Sequence, residues 1–201
     1  MFTGIIKNIA TLHTIQREKN SLYYAIQCPD SLLKGLEVGS SVAVDGICQT
    51  VDSIEGNRVW FYAMEESIKR TTLGWMKEGD RVNIERSARI GDEVGGHLLS
   101  GHIYGTATLI HFNQTCYTFS CPTEWIRFLL PKGSIAIDGV SLTLSDVDPQ
   151  KGMFTIHLIP ITLKSTTLGE KKEGDRVNVE IDPVIQATVS TLERTLLLQR
   201  R

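Results

Sequence analysis

Residues 41–51 read SVAVDGICQTV and residues 134–144 read SIAIDGVSLTL, and this repetition limits the fold more than any other feature of the chain. It is one of several matches. FTGIIKNIATL (2–12) matches LSGHIYGTATL (99–109), Cys28-Pro29 matches Cys121-Pro122, and TTLGWMKEGDRVNIE (71–85) matches TTLGEKKEGDRVNVE (166–180). The offset between matched positions drifts from 97 to 93 to 95, so length changes fall in loops. The chain therefore divides into two copies of one domain, 1–97 and 98–183. They are joined through the acidic, glycine-bearing stretch DEVGG (92–96) and followed by a segment 184–201 without a counterpart.

Each copy reads as β. Segments such as SVAVDGICQTV and RVWFYAM are β-branched or alternate with a period near two. EGN (55–57), KEGD (77–80 and 172–175) and DPQKG (148–152) supply turns. Five or six short strands in each copy predict a small Greek-key barrel, whose closure removes exposed sheet edges. PDSLLKGL (29–36) and PTEWIRFLL (122–130) predict one short helix per copy, each with Pro near its start.

The last segment breaks the β pattern. Asp182 is placed to cap a helix that opens with Pro183. Ile185, Val189, Leu192 and Leu196 then recur at coiled-coil spacing, and Leu197 and Leu198 widen the stripe. A stripe this broad predicts self-association through helices; the alternative is a helix packed back on its own barrels.

Hydrophobic residues make up 41% and charged residues 22% of the chain, the balance of an ordinary soluble globular protein. A net charge of −2 gives no electrostatic reason to expect nucleic acid or an anionic membrane as partner. Lys7, Asn8 and His13 interrupt any apolar core of a secretory signal, and no apolar run approaches the ~20 residues of a membrane span. The cytoplasm is the expected compartment. The four cysteines form no CxxC pair, which argues against a structural zinc site, and a reducing compartment argues against disulfides.

The opening MFTGII, the twin DG(I/V)(C/S)xT phrases, GGHLLSGHI (95–103), HLIP (157–160) and the doubled TTLG…KEGDRVN together resemble the riboflavin synthase family, α-chain type. The resemblance implies two tandem six-stranded barrels with a C-terminal oligomerisation helix, mainly β, assembled as a homotrimer with active sites between subunits. It implies a dismutation of two molecules of 6,7-dimethyl-8-ribityllumazine. One gives a four-carbon unit to the other, yielding riboflavin and 5-amino-6-(ribitylamino)uracil without metal or redox cofactor. Lumazine synthase is a candidate partner.

This chemistry takes a proton from the C7 methyl group of one lumazine and adds a nucleophile at C7 of the other. His102 is the candidate proton carrier, with the Thr143 hydroxyl as relay. Ser41 and Cys48 are candidates for nucleophile or water positioning, and Ser141 and Asp182 complete the catalytic set. Alone, Cys48 would read as a small buried hydrophobe, and Asp182 as a helix cap. Binding positions carried from the family are Gly4, Ile5, Ile6, Cys48, Gln49, Thr50 and the run Tyr62, Ala63, Met64, Glu65, Glu66, Ser67 for one lumazine. For the other they are Gly101, His102, Ile103, Ser141, Leu142, Thr143 and the run His157, Leu158, Ile159, Pro160, Ile161, Thr162, with Lys132 and Asp182 lining the site.

His97 reads as a loop contact, and Asp45 and Asp138 as turn residues. Two positions depart from the family pattern: Ile161 stands where Glu is usual, and Gln49 where Leu is usual. A non-catalytic lumazine- or flavin-binding protein, of the optical antenna kind, is the alternative reading. The divergence of Cys48 from Ser141 and of Ile5 from His102 at matched positions favours the enzyme.

Overall fold

A computed structural model describes residues 1–199. Twelve strands form two closed antiparallel barrels of six. The first comprises β1 (Asn8–Arg17), β2 (Ser21–Gln27), β3 (Ser41–Val44), β4 (Ile47–Glu55), β5 (Arg58–Met64) and β6 (Arg81–Arg86), in the order β1-β2-β5-β4-β3-β6. The second comprises β7 (Gly105–Asn113), β8 (Cys116–Ser120), β9 (Ser134–Ile137), β10 (Val140–Asp148), β11 (Met153–His157) and β12 (Arg176–Ile181). Its order, β10-β11-β8-β7-β12-β9, repeats that of the first. Each barrel fills with its own inward side chains, among them Leu12, Tyr24 and Phe61 in one and Leu109, Phe119 and Phe154 in the other.

The short helices differ from the sequence reading. The first copy has α1 at Asp30–Leu33, within the expected 29–36. The expected 122–130 helix is a 3-10 segment, Thr123–Phe128, which carries Trp125 against Gly105. A Cβ on Gly105 would lie 2.4 Å from the indole. Two further helices, α2 (Glu65–Arg70) and α3 (Pro160–Ser165), follow β5 and β11.

The last helix, α4 (Pro183–Gln199), is capped as expected: Asp182 Oδ1 accepts from Val184 N at 2.7 Å. Ile185 and Val189 pack on the second barrel, while Leu192, Leu196, Leu197 and Leu198 stand exposed. The first turns of the helix thus follow the packed-back alternative and its later turns keep a bare apolar face. Residues 200 and 201 of the expected segment lie outside the described residues. No described helix is long and apolar enough to cross a membrane.

The barrels meet about a pseudo-two-fold axis at two hairpin turns, Asp45-Gly46 and Asp138-Gly139. Both turns have positive φ at both positions (45° and 79° in each), the type I′ geometry that Asp-Gly favours. The turns touch so closely that a Cβ on Gly46 would fall 2.6 Å from Gly139 N. Two fully buried asparagines, Asn83 and Asn178, cross the junction. Asn83 Nδ2 donates to Asp138 O at 2.9 Å, and Asn178 Nδ2 to Asp45 O at 3.0 Å. Their Oδ1 atoms accept from the opposite barrel's Thr167 N and Thr72 N, both at 2.8 Å.

The carboxylates of Asp45 and Asp138 are buried here. Among the described residues one cation serves them: Lys171 Nζ lies 3.0 Å from Asp138 Oδ2, which has no other partner there. Burial opposes the lysine's charge, but Asp138 and Asp45 outweigh it and hold its pKa above the usual range. Burial, then the neighbouring Asp138, pushes the Asp45 carboxyl well up. A carboxyl raised in this way costs stability as pH rises from its unfolded value of about 4 through the folded one, because the unfolded chain releases its proton first.

Lys171 matches Met76 in the first copy. Lys171→Met should cost on the order of 3–5 kcal/mol at neutral pH by leaving Asp138 unpaired. The cost should be smaller at lower pH, where the raised Asp45 carboxyl holds its proton and adds no second buried negative charge beside Asp138. Urea unfolding at pH 5 and pH 8 measures both, and an equal loss at the two pH values would contradict this account.

Candidate active site

The loops ahead of the two barrels are exchanged. Ile6, which precedes the first barrel, is buried in the core of the second, and Ile103, which precedes the second, is buried in the core of the first. Each buried isoleucine stabilises the exchange by about 2 kcal/mol. The loops also pair with each other: Phe2 N donates to Leu99 O at 2.8 Å and Leu99 N to Phe2 O at 2.9 Å. Phe2, Leu99, Ala43 and Ala136 make a small third core between the barrels, with Cys48 against it.

This exchange regroups the candidate residues. The sequence reading set Gly4, Ile5 and Ile6 with the first barrel's strand residues. The structure sets Gly4 on Ser141 instead: Ser141 N donates to Gly4 O at 2.9 Å, and a Cβ on Gly4 (φ +72°) would lie 2.5 Å from Ser141 Cβ. Conversely, Cys48 N donates to Gly101 O at 2.9 Å, and a Cβ on Gly101 (φ +82°) would lie 2.5 Å from Cys48 Cβ. In both loops only glycine combines the left-handed backbone with such close approach.

The first cluster therefore joins Cys48 and Thr50 on β4, Ser41 paired opposite Thr50 on β3, and the loop bearing Gly101 and exposed His102. Tyr62, Met64 and Glu66 are exposed at the end of β5 and the start of α2, while Ala63 is buried and Glu65 and Ser67 are half-buried. Glu65 and Glu66 form ion pairs along α2 with Lys69 and Arg70. Gln49 points inward, and its buried Oε1 has no partner among the described residues, so this departure places an orphan acceptor inside the first barrel.

The second cluster joins Ser141, Leu142 and Thr143 on β10 with the loop bearing Gly4 and Ile5. Lys132 N bonds Leu144 O at 2.8 Å, which holds its turn beside β10. Across β11 and the start of α3, Leu158 is buried and Thr162 half-buried, while His157, Ile159, Pro160 and Ile161 are exposed. Glu66 and Ile161 thus occupy matching first-turn positions, one anionic and the other apolar.

The structure adds His97 to this cluster. Its Nδ1 lies 2.6 Å from Ser141 Oγ, and its backbone N donates to the same oxygen at 3.1 Å. Oγ keeps a second lone pair after accepting from the backbone, so the direction of the Oγ–Nδ1 hydrogen bond follows the imidazole tautomer; the form protonated at Nε2 accepts the hydroxyl proton at Nδ1. Nε2 is buried and has no partner among the described residues. Burial lowers the His97 pKa, which the nearby Asp182 carboxylate partly offsets. A neutral imidazole on a serine hydroxyl is equipped to take its proton. The repeat contains no counterpart of His97, so comparing the halves carries no signal for it.

The fold is a tandem repeat of one six-stranded barrel domain. The lumazine binding domain family model matches residues 3–87 and 100–182. Riboflavin synthase of Escherichia coli (strain K12) is 47% identical over 201 residues, covering 98% of this chain and 93% of the relative. That of Chlamydia pneumoniae is 42% identical over 196 residues, covering 98% and 97%. Among solved structures, LumP complexed with 6,7-dimethyl-8-(1'-D-ribityl) lumazine superposes with a TM-score of 0.81 at 27% identity, covering 90% of this chain and 99% of that one. LumP complexed with riboflavin gives 0.82 at 28% identity, with coverage of 90% and 100%. The chain belongs to the riboflavin synthase family.

Replacing Asp182 by Asn keeps the cap oxygen but removes the charge that raises His97. The His97 imidazole should then titrate at still lower pH, followed by NMR; an unchanged or higher midpoint would contradict the arrangement.

Proposed function

We infer that the chain is the enzyme that dismutates two molecules of 6,7-dimethyl-8-ribityllumazine into riboflavin and 5-amino-6-(ribitylamino)uracil. The observation that carries this reading is the inequality of two matched sites. One offers Cys48 with His102, the other Ser141 with His97. A reaction that uses one substrate in two roles needs such a pair. The two products together contain the atoms of the two substrates, so the step balances without oxidant or reductant.

In this reading one lumazine lies against Cys48, Thr50 and the loop at Gly101, and the other against Ser141, Thr143 and the loop at Gly4. Each site also takes the run after its own barrel's last hairpin, Tyr62 to Ser67 or His157 to Thr162, and Lys132 and Asp182 belong to the second. His102 moves the methyl proton, and Cys48 or a water held by Ser41 adds at C7. In the second site His97 and Asp182 activate Ser141. Thr143 belongs to the second cluster, so it relays for His102 only where the second barrel of one subunit faces the first barrel of another. The bare leucines of α4 support such an assembly, and a homotrimer in the cytoplasm is the form proposed. Lumazine synthase, which would make this substrate, is the proposed neighbour. Much of the acceleration comes from holding two flat rings in reacting register, which supplies up to about 7–11 kcal/mol.

The antenna reading is not favoured, and the same assay separates the two. Purified protein should form one riboflavin for every two lumazines consumed, and His102→Ala should lower kcat by about 10²–10⁴-fold. Lumazine that binds and never converts would overturn the enzyme reading.

A further inference from the structure

The exchanged loops are held by two carboxylates outside the catalytic set. Glu85 on β6 accepts three hydrogen bonds: Thr3 N at 2.7 Å and Thr3 Oγ1 at 2.6 Å on Oε1, and Gly4 N at 3.0 Å on Oε2. Glu180 on β12 repeats the pattern with Ser100 N at 2.6 Å, Ser100 Oγ at 2.7 Å and Gly101 N at 3.0 Å. Each hydroxyl then accepts the next-but-one backbone N–H: Thr3 Oγ1 that of Ile5 at 3.3 Å, and Ser100 Oγ that of His102 at 3.0 Å. One carboxylate thus orders three N–H groups in a row, through charge-assisted bonds about twice as strong as neutral ones.

The far side of each loop meets the opposite barrel. Gly101 O receives Cys48 N, and Gly4 O receives Ser141 N. A continuous path runs from Glu180 in the second barrel, through residues 100–102, to Cys48 in the first. Its mirror runs from Glu85 in the first barrel, through residues 3–5, to Ser141 in the second. Both carboxylates are buried, at 9% exposure for Glu85 and 2% for Glu180, so water competes weakly for their oxygens.

We propose that Glu85 and Glu180 are positioning residues that act across the junction: Glu180 of the second barrel sets His102 against the first barrel's Cys48, and Glu85 of the first barrel sets the Gly4 loop against the second barrel's Ser141. The proposal rests on the site assignments above for its kinetic arm alone. An unpaired, isosteric probe exists in Gln. Its amide oxygen still accepts from Ser100, but its NH₂ faces the Gly101 N–H, so one of the three contacts becomes donor against donor. Burial raises the Glu85 carboxyl, and its bonds to Thr3 and Gly4 pull it back.

The test uses full-length protein with ¹⁵N-labelled histidine, His102 reporting the first site and His97 the second. Glu180→Gln should shift the His102 resonances and leave those of His97 in place. Glu85→Gln should do the reverse, through Gly4 and Ser141. With 6,7-dimethyl-8-ribityllumazine as substrate, Glu180→Gln should lower kcat about tenfold with KM changed less than threefold, because orientation rather than binding is lost. Ser100→Ala removes only the hydroxyl link and serves if the glutamine variant does not fold; it should move His102 alone, by a smaller shift. Variants that leave both imidazoles unmoved, or that disturb both equally, would overturn the cross-coupling. If the parent protein does not turn over lumazine, the functional reading fails, yet the resonances still decide this proposal.

Discussion

The two Asp-Gly turns meet where neither copy has room for a side chain, and that contact sets the geometry of everything else. Gly46 and Gly139 face each other across the pseudo-two-fold axis, with Asn83 and Asn178 bonded over the junction into the opposite barrel's turn and 3-10 segment. Asp45, Asp138, Asn83 and Asn178 are all buried in this layer, so each bond lost there leaves a desolvated donor or acceptor worth about 1–3 kcal/mol. The junction fixes how the barrels lie against each other, and hence which loop can reach which strand.

From that fixed approach the exchange of loops follows. The segments before β1 and β7 are clamped to their own barrels at Glu85 and Glu180, yet they pair through Phe2 and Leu99 and bury Ile6 and Ile103 in the neighbour. Each candidate site is then composite, with strands from one copy and a glycine loop from the other. Duplication supplied two similar pockets, and divergence at a few positions made them unequal. Cys48 faces a loop carrying His102, whereas Ser141 faces a loop carrying Ile5 and takes its imidazole from His97.

Much of the fold was legible because the repeated residues are those that backbone geometry demands. Asp45-Gly46 and Asp138-Gly139 recur because a two-residue hairpin needs positive φ twice. The TTLG segments recur because Thr71 and Thr166 cap the same 3-10 turn. The exchange was not legible. Both loops carry a hydroxyl residue before glycine, and both barrels carry the matching glutamate at 85 or 180, so either loop fits either barrel and only the path of the chain decides. His97 reads only as a loop contact in the sequence because no repeat position corresponds to it, and the burial of Gln49 shows only in the register of β4. The 3-10 form at Thr123–Phe128 depends on Trp125 finding the space beside Gly105, a contact that local propensity does not encode.

The central claim is that each lumazine is held by the strands of one copy and the loop of the other. A crystal structure with an unreactive lumazine analogue tests it most directly. The account predicts two ligands per chain, one touching Cys48 and the Gly101–His102 loop, the other touching Ser141 and the Gly4–Ile5 loop. A ligand found between Cys48 and the Gly4 loop, or a single ligand per chain with the Ser141 cluster empty at saturation, would contradict it.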